Sequence, residues 1–196
     1  DAEPRATGQL LTFDEPNHRP FNPMINAGAL VASNLVRGRD RDEKVARLLE
    51  RFRLHTGNPD LAVDEDTLAE QLVSNDRNLG ISYLMRGLEM LHGDIEDNLY
   101  VYLAACSIAV TAAELGTMGA TLANGGVHPP TGDRALARAH IRGVISGMYM
   151  CGMYAAAGEW AHDVGIPAKS AVSGGLMGAI PASFGLGLLP PRPAPL

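Results

Sequence analysis

The sequence predicts an α+β fold in which a mostly helical body is followed by a small antiparallel sheet. Between residues 26 and 148, several segments carry apolar side chains at helical spacing. From residue 166 onward the sequence changes to short apolar runs broken by glycine and proline, as in IPAKSAVSGGLMGAIPASFGLGLL. Such runs are typical of strands joined by tight turns and contain too much glycine for a helix. The length of 196 residues is sufficient to bury a core without disulfides or metal ions.

The first two helices follow a segment without any regular pattern. Prolines at positions 4, 16, 20 and 23 indicate an irregular segment over residues 1–24, and a first helix is predicted over about residues 26–36. A stronger pattern follows, because four apolar residues fall at positions i, i+3, i+4 and i+7: Val45, Leu48, Leu49 and Phe52. Charged residues occupy the opposite face, and Gly57 is predicted to end this amphipathic helix.

Three later stripes of apolar residues each predict a further helix. They consist of Ile81, Leu84, Leu88 and Leu91; of Ile108, Leu115, Met118 and Leu122; and of Leu136, Ile141, Val144, Ile145 and Met148. The first is predicted to end at Gly93 and the second at Gly125 and Gly126, because glycine commonly terminates helices. The third begins after the HPPTGDR turn.

The balance of charge and apolarity excludes two classes of partner. The 16 basic residues are outnumbered by 22 acidic ones, and a net charge of −6 leaves no surplus for a basic nucleic-acid surface. The run of lowest polarity, residues 100–113, is shorter than the roughly 20 apolar residues that a membrane-spanning helix needs. No basic and apolar leader is recognisable at the N-terminus. We therefore expect neither nucleic acid nor a membrane among the partners.

Cysteine and histidine positions give no sign of a metal site or of a disulfide. Cys106 and Cys151 lie far apart in the apolar stretches LAACSIAV and MYMCGMY, which predicts buried, reduced thiols and a cytoplasmic location. The six histidines have no H-x-x-x-H spacing, and none pairs with a cysteine at ligand spacing. No glycine-rich phosphate loop is present. We expect no metal and no cofactor.

Several polar residues stand out against their apolar surroundings. In FNPMINAGAL, Asn26 opens a helix through small residues that let another backbone or a ligand approach closely. In SNDRNLG, Asn78 stands near a helix start, where its amide either caps the helix or faces a ligand. Tyr102 lies in an apolar helix and Tyr154 follows CGM; each is either a core residue with a satisfied hydroxyl or a site residue.

Three arginines follow the same helical spacing. Arg134, Arg138 and Arg142 fall at i, i+4 and i+8, which places them on one face of a predicted helix. A solvated face is the default interpretation of such a stripe. A subunit contact and an anion-binding site are the alternatives.

The segment PAKSAVSGG places Lys169 and Ser170 on a predicted strand before a Gly-Gly turn. This strand resembles the Lys-[Ser/Thr]-Gly strand of serine β-lactamases and penicillin-binding proteins. A larger set of motifs is more specific: NPMINAGAL, DRN, YLAACS, ATLANGG, CGMY and AGEWAHDVGIPAKS. In this order and spacing, the set resembles the serine-dependent glutaminases over about residues 3–190.

The resemblance implies a β-lactamase-like α+β fold, a homo-oligomer and the hydrolysis of L-glutamine to L-glutamate and ammonia. In that family a serine of an S-x-x-K motif attacks the carboxamide carbon, the lysine acts as base and tyrosines assist proton transfer. The matching positions imply catalytic roles for Tyr102 and Tyr154. The implied substrate-binding residues are Asn26, Glu70, Asn78, Tyr102, Tyr154 and Val172, the last through its backbone.

Three departures from the family pattern qualify these expectations. Gln71 stands seven positions before Asn78, where the family has an acidic residue, so either a one-residue insertion keeps Glu70 in place or the ammonium-binding carboxylate is lost. Ala171 replaces the glycine of the family's Lys-Ser-Gly, and its Cβ is expected to crowd the site. No serine or threonine lies three residues before a lysine, so the nucleophile and its base are absent from these 196 residues.

These departures lead to two alternatives. The first is that residues 1–196 form an incomplete glutaminase domain, truncated at both ends, whose activity by itself is impaired or absent. The second is a non-catalytic module that binds glutamine or glutamate or mediates oligomerisation.

Overall fold

The computed structural model describes residues 12–190, and these form two compact units. The first comprises the described part of Asp1–Phe52 together with Leu61–Ala109. The second comprises Arg53–Asp60 together with the described part of Val110–Leu196. The predicted irregular segment lies partly outside the described residues.

The first unit is mainly helical. The segment that was expected to be irregular contains a short antiparallel ribbon. Its strands are β1 (Phe13–Asp14) and β2 (Arg19–Pro20), with two residues each. The helices are α1 (Asn26–Asn34), α2 (Arg41–Thr56), α3 (Glu65–Val73), α4 (Asp76–Gly87) and α5 (Ile95–Cys106). The first two confirm the predicted helices, and Gly57 follows α2 with a φ of 72°. The last four residues of α2 belong to the second unit.

Helix α5 is the centre of the first unit, because α1, α3 and α4 all pack against it. Side-chain caps define the starts of two of these helices: Asp64 accepts from the Thr67 N–H at 2.8 Å, and Asp94 does the same for Asp97. The core that results is a cluster of buried residues: Ala27, Leu30, Leu68, Ile81, Met85, Met90, Leu91, Ile95, Leu99, Tyr102, Leu103 and Ala104. Burial of this apolar surface holds the helices together.

Two predicted helix boundaries in this region are wrong. Helix α4 ends at Gly87 rather than at Gly93, and Glu89 adopts a left-handed φ of 57°. Leu91 is nevertheless buried, although it lies in the turn after the helix. Its apolar side chain continued the helical pattern in the sequence because this turn also packs into the core. The stripe that began at Ile108 is not one helix, because Ile108 pairs with Val63 in an isolated β-bridge.

The second unit combines helices with the predicted sheet. Its helices are α6 (Ala112–Ala123), α7 (Arg138–Cys151) and α8 (Ala157–Asp163). A capping box between Thr111 and Glu114 starts α6 as a new helix. The strands β3 (Ala168–Ser170), β4 (Leu176–Ile180) and β5 (Phe184–Leu188) form an antiparallel sheet in the order β3-β4-β5, which confirms the predicted strand, turn and two further strands.

Glycine allows α6 to lie directly on the sheet. A Cβ on Gly119 of α6 would overlap the carbonyl oxygen of Gly178 in β4. From the other side, a Cβ on Gly185 of β5 would overlap the backbone nitrogen of Ala120. Backbone therefore meets backbone across this interface, with no space for even one methyl group.

The described residues contain no helix with the length and apolarity that crossing a membrane requires. Within residues 12–190 there is also no group of three or more His, Cys, Asp or Glu side chains suited to holding a metal ion.

The close contact between α6 and the sheet predicts a strong contrast between two glycine substitutions. Gly119→Ala is expected to lower the free energy of unfolding by about 2 kcal/mol or more, because the added methyl group forces the helix off the sheet. Gly143→Ala lies inside α7 with no atom within 4 Å of the new Cβ, and should be neutral or stabilising by about 0.5–1 kcal/mol. Urea unfolding of both variants measures the contrast, and equal stabilities would contradict this packing.

Candidate functional site

The first unit brings together two asparagines that are 52 residues apart in the sequence. Asn26, the first residue of α1, donates from Nδ2 to Oδ1 of Asn78 in α4 at 2.8 Å. Both side chains are half-buried. Within the described residues, Oδ1 of Asn26 and Nδ2 of Asn78 make no hydrogen bond, so the pair presents one acceptor and one donor. Asn78 does not cap its helix, because Asn75 occupies the N-cap position and the Asn78 side chain contacts Asn26 instead.

The NPMINAG sequence explains how Asn26 is held. The side chain of Asn22 accepts from the Met24 N–H at 2.8 Å and closes a tight turn before α1. This turn folds the backbone of Pro23 onto Gly28, where a Cβ would overlap the Pro23 carbonyl group. The asparagine, the proline and the glycine thus fix the entry into the helix that Asn26 begins.

Glu70 and Gln71, the two candidates for the acidic position of the family, differ in burial. On α3, Glu70 is exposed, and its side chain makes no hydrogen bond or ion pair within the described residues. Gln71 is half-buried, and it lies one turn beyond the buried Leu68 on the same helix. Neither side chain contacts the Asn26–Asn78 pair through a hydrogen bond.

Tyr102 lies on α5 with a relative exposure of 9% and forms a hydrogen bond with the thiol of Cys106 one turn later. Part of Cys106 is exposed to solvent, which corrects the expectation of a fully buried thiol. The protein around the sulfur still raises the pKa of the Cys106 thiol through burial, and the Tyr102 hydrogen bond opposes the increase. A thiol with a raised pKa stays protonated and is a poor nucleophile.

The second unit places Tyr154 beside Lys169. Lys169 of β3 lies with its Nζ 4.3 Å from the centroid of the Tyr154 ring, a cation–π distance. The ammonium group also donates to the carbonyl oxygen of Ser170. Sequence reasoning named both residues but missed this contact, because it joins two motifs that are fifteen positions apart.

The CGMY motif creates this contact through its backbone. A Cβ on Gly152 would overlap the carbonyl oxygen of Ala168, and Ser170 donates its N–H to the Gly152 carbonyl at 3.2 Å. Tyr154 then adopts a left-handed φ of 53°, an uncommon conformation for a bulky residue. In the AGEW motif, the Trp160 indole N–H donates to the Ile166 carbonyl at 2.7 Å and fixes the chain just before β3.

Burial controls the charge of Lys169. Its half-buried position lowers the pKa of the amino group from 10.5 to about 8, and the neighbouring Cys151 acts in the opposite direction. Cys151 is half-buried rather than fully buried, and its thiol donates to the Gly147 carbonyl at 3.2 Å. Neither cysteine forms a disulfide within residues 12–190. The Lys169 amine therefore loses its proton at a lower pH than an exposed lysine does.

Val172 lies in the turn between β3 and β4 rather than on a strand edge. Its side chain is 77% exposed, and its backbone N–H makes no hydrogen bond in the described part of the chain. Ala171 closes the turn by donating to the Gly175 carbonyl at 2.7 Å. Its φ is not in the left-handed region and its side chain is exposed, so alanine fits this backbone where the family has glycine.

The comparisons with known proteins agree with one another. A family model described as Glutaminase matches residues 3–193. A glutaminase of Microcystis aeruginosa is 42% identical over 181 residues, which are 92% of this chain and 53% of that relative. The crystal structure of Mglu in its native form matches with a TM-score of 0.86 and 42% identity, over 93% of this chain and 46% of Mglu. Mglu in its glutamate form matches with the same TM-score and identity, over 93% of this chain and 43% of that one.

The chain thus spans about half the length of the relatives that it matches. The matched residues include parts of both compact units.

The environment of Lys169 predicts a direct titration result. The sequence has only two lysines, Lys44 and Lys169, so lysine labelled with ¹³C gives two Cε signals. The signal that disappears in Lys169→Met should titrate with a midpoint at about pH 8. A midpoint near 10.5 would contradict the burial described above.

A second measurement follows from the same pKa. Between about pH 8 and pH 10.5 the unfolded chain binds the Lys169 proton and the folded chain does not. Stability relative to Lys169→Met should therefore rise with pH across this window.

Proposed function

Because this chain belongs to the glutaminase family, we propose that its residues serve the hydrolysis of L-glutamine to L-glutamate and ammonia. The predicted family resemblance and its β-lactamase-like α+β fold class are confirmed by the family model and by the structural matches. The reaction, its substrate and the role of each residue are proposals for this chain. The main support for these proposals is the hydrogen bond between Asn26 and Asn78, because it joins two separate motifs of the family in one polar pair.

We assign the recognition of the amino-acid end of glutamine to the first unit. Oδ1 of Asn26 is an acceptor suited to an α-ammonium group, and Nδ2 of Asn78 is a donor suited to an α-carboxylate. Glu70 would supply the negative charge that an ammonium group favours. That Mglu has a glutamate form supports an amino-acid ligand of this kind.

The proposed chemical roles fall to the two tyrosines and to one backbone group. Tyr102 and Tyr154 assist proton transfer, since a phenol both donates and accepts hydrogen bonds. Tyr154 also contacts substrate, and Lys169 holds its ring through the cation–π contact. The N–H of Val172 is suited to stabilising a developing oxyanion, because it has no hydrogen-bond partner within the described residues.

This chain by itself is proposed to have no turnover. Lys44 follows Arg41 by three positions and Lys169 follows Ile166, so neither lysine completes an S-x-x-K motif in the 196 residues. A hydroxyl nucleophile is weak until an adjacent base accepts its proton. The Asn26–Asn78 pair is therefore proposed to bind substrate without the groups that would attack it.

A second candidate follows from the same observation. A chain that retains the Asn26–Asn78 pair but lacks the nucleophile and its base would act as a non-catalytic module that binds glutamine or glutamate or mediates oligomerisation. A homo-oligomeric state and a cytoplasmic location remain proposals under both candidates.

Two measurements on the purified 196-residue chain distinguish these outcomes. Ammonia release from L-glutamine should not exceed that of a boiled control, and calorimetry should detect saturable binding of L-glutamate. Asn78→Ala should weaken that binding about tenfold or more, the cost of one charge-assisted hydrogen bond. Asn17→Ala is the matched control, since this exposed side chain bonds only to Asp14. Turnover above the control would refute the proposed inactivity, and absent binding would refute the binding role.

The acidic position has its own test. If Glu70 holds the ammonium group, Glu70→Gln should weaken L-glutamate binding about tenfold, because a charged partner is replaced by a neutral one of equal size. Gln71→Glu then leaves affinity unchanged. The opposite pattern, with no loss in Glu70→Gln and a gain in Gln71→Glu, would place the ammonium group at position 71.

A further inference from the structure

The second unit contains a cavity that the proposed reaction does not use. Its volume is about 630 Å³, within the range of small-molecule sites. The end of α6, the first half of α7 and the turn between β4 and β5 form its walls. None of the residues implied for glutamine hydrolysis lines it.

Three exposed arginines line this cavity: Arg134, Arg138 and Arg142. Arg138 and Arg142 lie one turn apart on α7, with Cβ atoms about 6 Å apart as expected for positions i and i+4. Arg134 is not on the helix, which corrects the predicted stripe; it precedes α7 and pairs with Val127 in an isolated β-bridge. The sequence pattern predicted all three arginines on one helix. In the fold, Arg134 lines the same cavity from the segment that precedes α7.

The cluster has no counter-charge. In the described part of the chain, none of the three arginines forms an ion pair, and no acidic residue lines the cavity. Asp133 precedes Arg134 directly but is exposed and does not pair with it. The first turn of α7 also contains no acidic residue. Three positive charges therefore face one cavity in a protein whose net charge is −6.

The cavity also has the features of a site for an organic ligand. Nη1 of Arg134 donates to the carbonyl oxygens of Gly125 at 3.2 Å and Leu136 at 3.3 Å, which fixes the guanidinium group while its other N–H groups stay available. Ser146 adds a hydroxyl group. The remaining wall is largely apolar: Leu122, Ala123, Ile141, Ile145, Pro181 and Ala182.

We propose that this cavity binds a small organic oxyanion, a phosphate ester or a polycarboxylate, whose charged end lies against Arg134, Arg138 and Arg142. Guanidinium groups match such oxyanions through paired N–H donors. The apolar wall contacts the rest of the ligand. The proposal is independent of glutamine hydrolysis.

The test uses the 196-residue chain at low ionic strength, with backbone NMR shifts as the readout. Inorganic phosphate, phenyl phosphate and citrate are titrated against chloride at equal ionic strength. Saturable shifts confined to residues 122–125, 134–146 and 181–182 are expected, and phenyl phosphate should bind more tightly than inorganic phosphate because its ring contacts the apolar wall. The ratio of phenyl phosphate to citrate affinity identifies which source of oxyanion the cavity prefers.

Variants separate a specific site from general attraction between charges. Arg142→Gln should weaken phenyl phosphate binding about tenfold or more, and Arg142→Lys should weaken it less, because a lysine keeps the charge but not the paired donors. Arg37→Gln removes the same charge from an exposed arginine of the first unit and should change affinity less than about twofold. Equal losses in Arg142→Gln and Arg37→Gln would overturn the proposal.

Titration with an anionic polymer tests whether the arginines contact a macromolecule instead of a small molecule. If polyglutamate or heparin shifts these signals while phosphate, phenyl phosphate and citrate do not, the cluster is a macromolecular contact and the small-molecule site is refuted. Scattered shifts without saturation would refute it as well.

Discussion

Direct contact between backbones, at positions without a Cβ atom, is the constraint on which both units depend. In the second unit, Gly119 and Gly185 let helix α6 lie on the sheet without intervening side chains. In the same unit, Gly152 accepts the backbone of Ala168, and in the first unit Gly28 accepts that of Pro23. At each contact the two backbones lie so close together that a methyl group does not fit between them. Two of the candidate residues, Asn26 and Tyr154, lie within two residues of such a contact.

In each unit, the candidate residues include groups whose chemistry depends on being half-buried. The Asn26–Asn78 pair in the first unit satisfies one hydrogen bond internally and leaves one side-chain donor and one acceptor without a bond in the described part of the chain. Lys169 is sufficiently buried that its proton is held less firmly than in water, yet the Tyr154 ring and the Ser170 carbonyl group accept its charge. A fully exposed lysine would have neither the lowered pKa nor a fixed position.

Local sequence patterns were sufficient to predict much of the secondary structure. Helix α2 and the three-stranded sheet were predictable, since helical spacing and glycine-bounded strands are local signals. Helices α3 and α8 were missed because they have nine and seven residues and no long apolar stripe. The helix predicted from Ile108 merged two elements, because a residue in a β-bridge happened to continue the helical period. Boundaries that depend on tertiary packing leave no local signal.

The sequence motifs named candidate residues but did not predict the contacts between them. The family resemblance named Asn26, Asn78 and Tyr154, but it contained no information on the Lys169 contact with the tyrosine ring. The arginine cluster shows the reverse relation. Helical spacing grouped three arginines that do line one cavity, but it placed all of them on a helix. Arg134 lies outside the helix.

The left-handed backbone at Tyr154 sets stability against the role proposed for this residue. A non-glycine residue in that conformation costs on the order of 1 kcal/mol, and the cost recurs in every folded molecule whether or not substrate is present. Glycine or asparagine would remove most of the cost and the phenol with it. A laboratory selection for heat resistance alone would therefore favour loss of this tyrosine. Retention of the ring requires a selection that also rewards the chemistry.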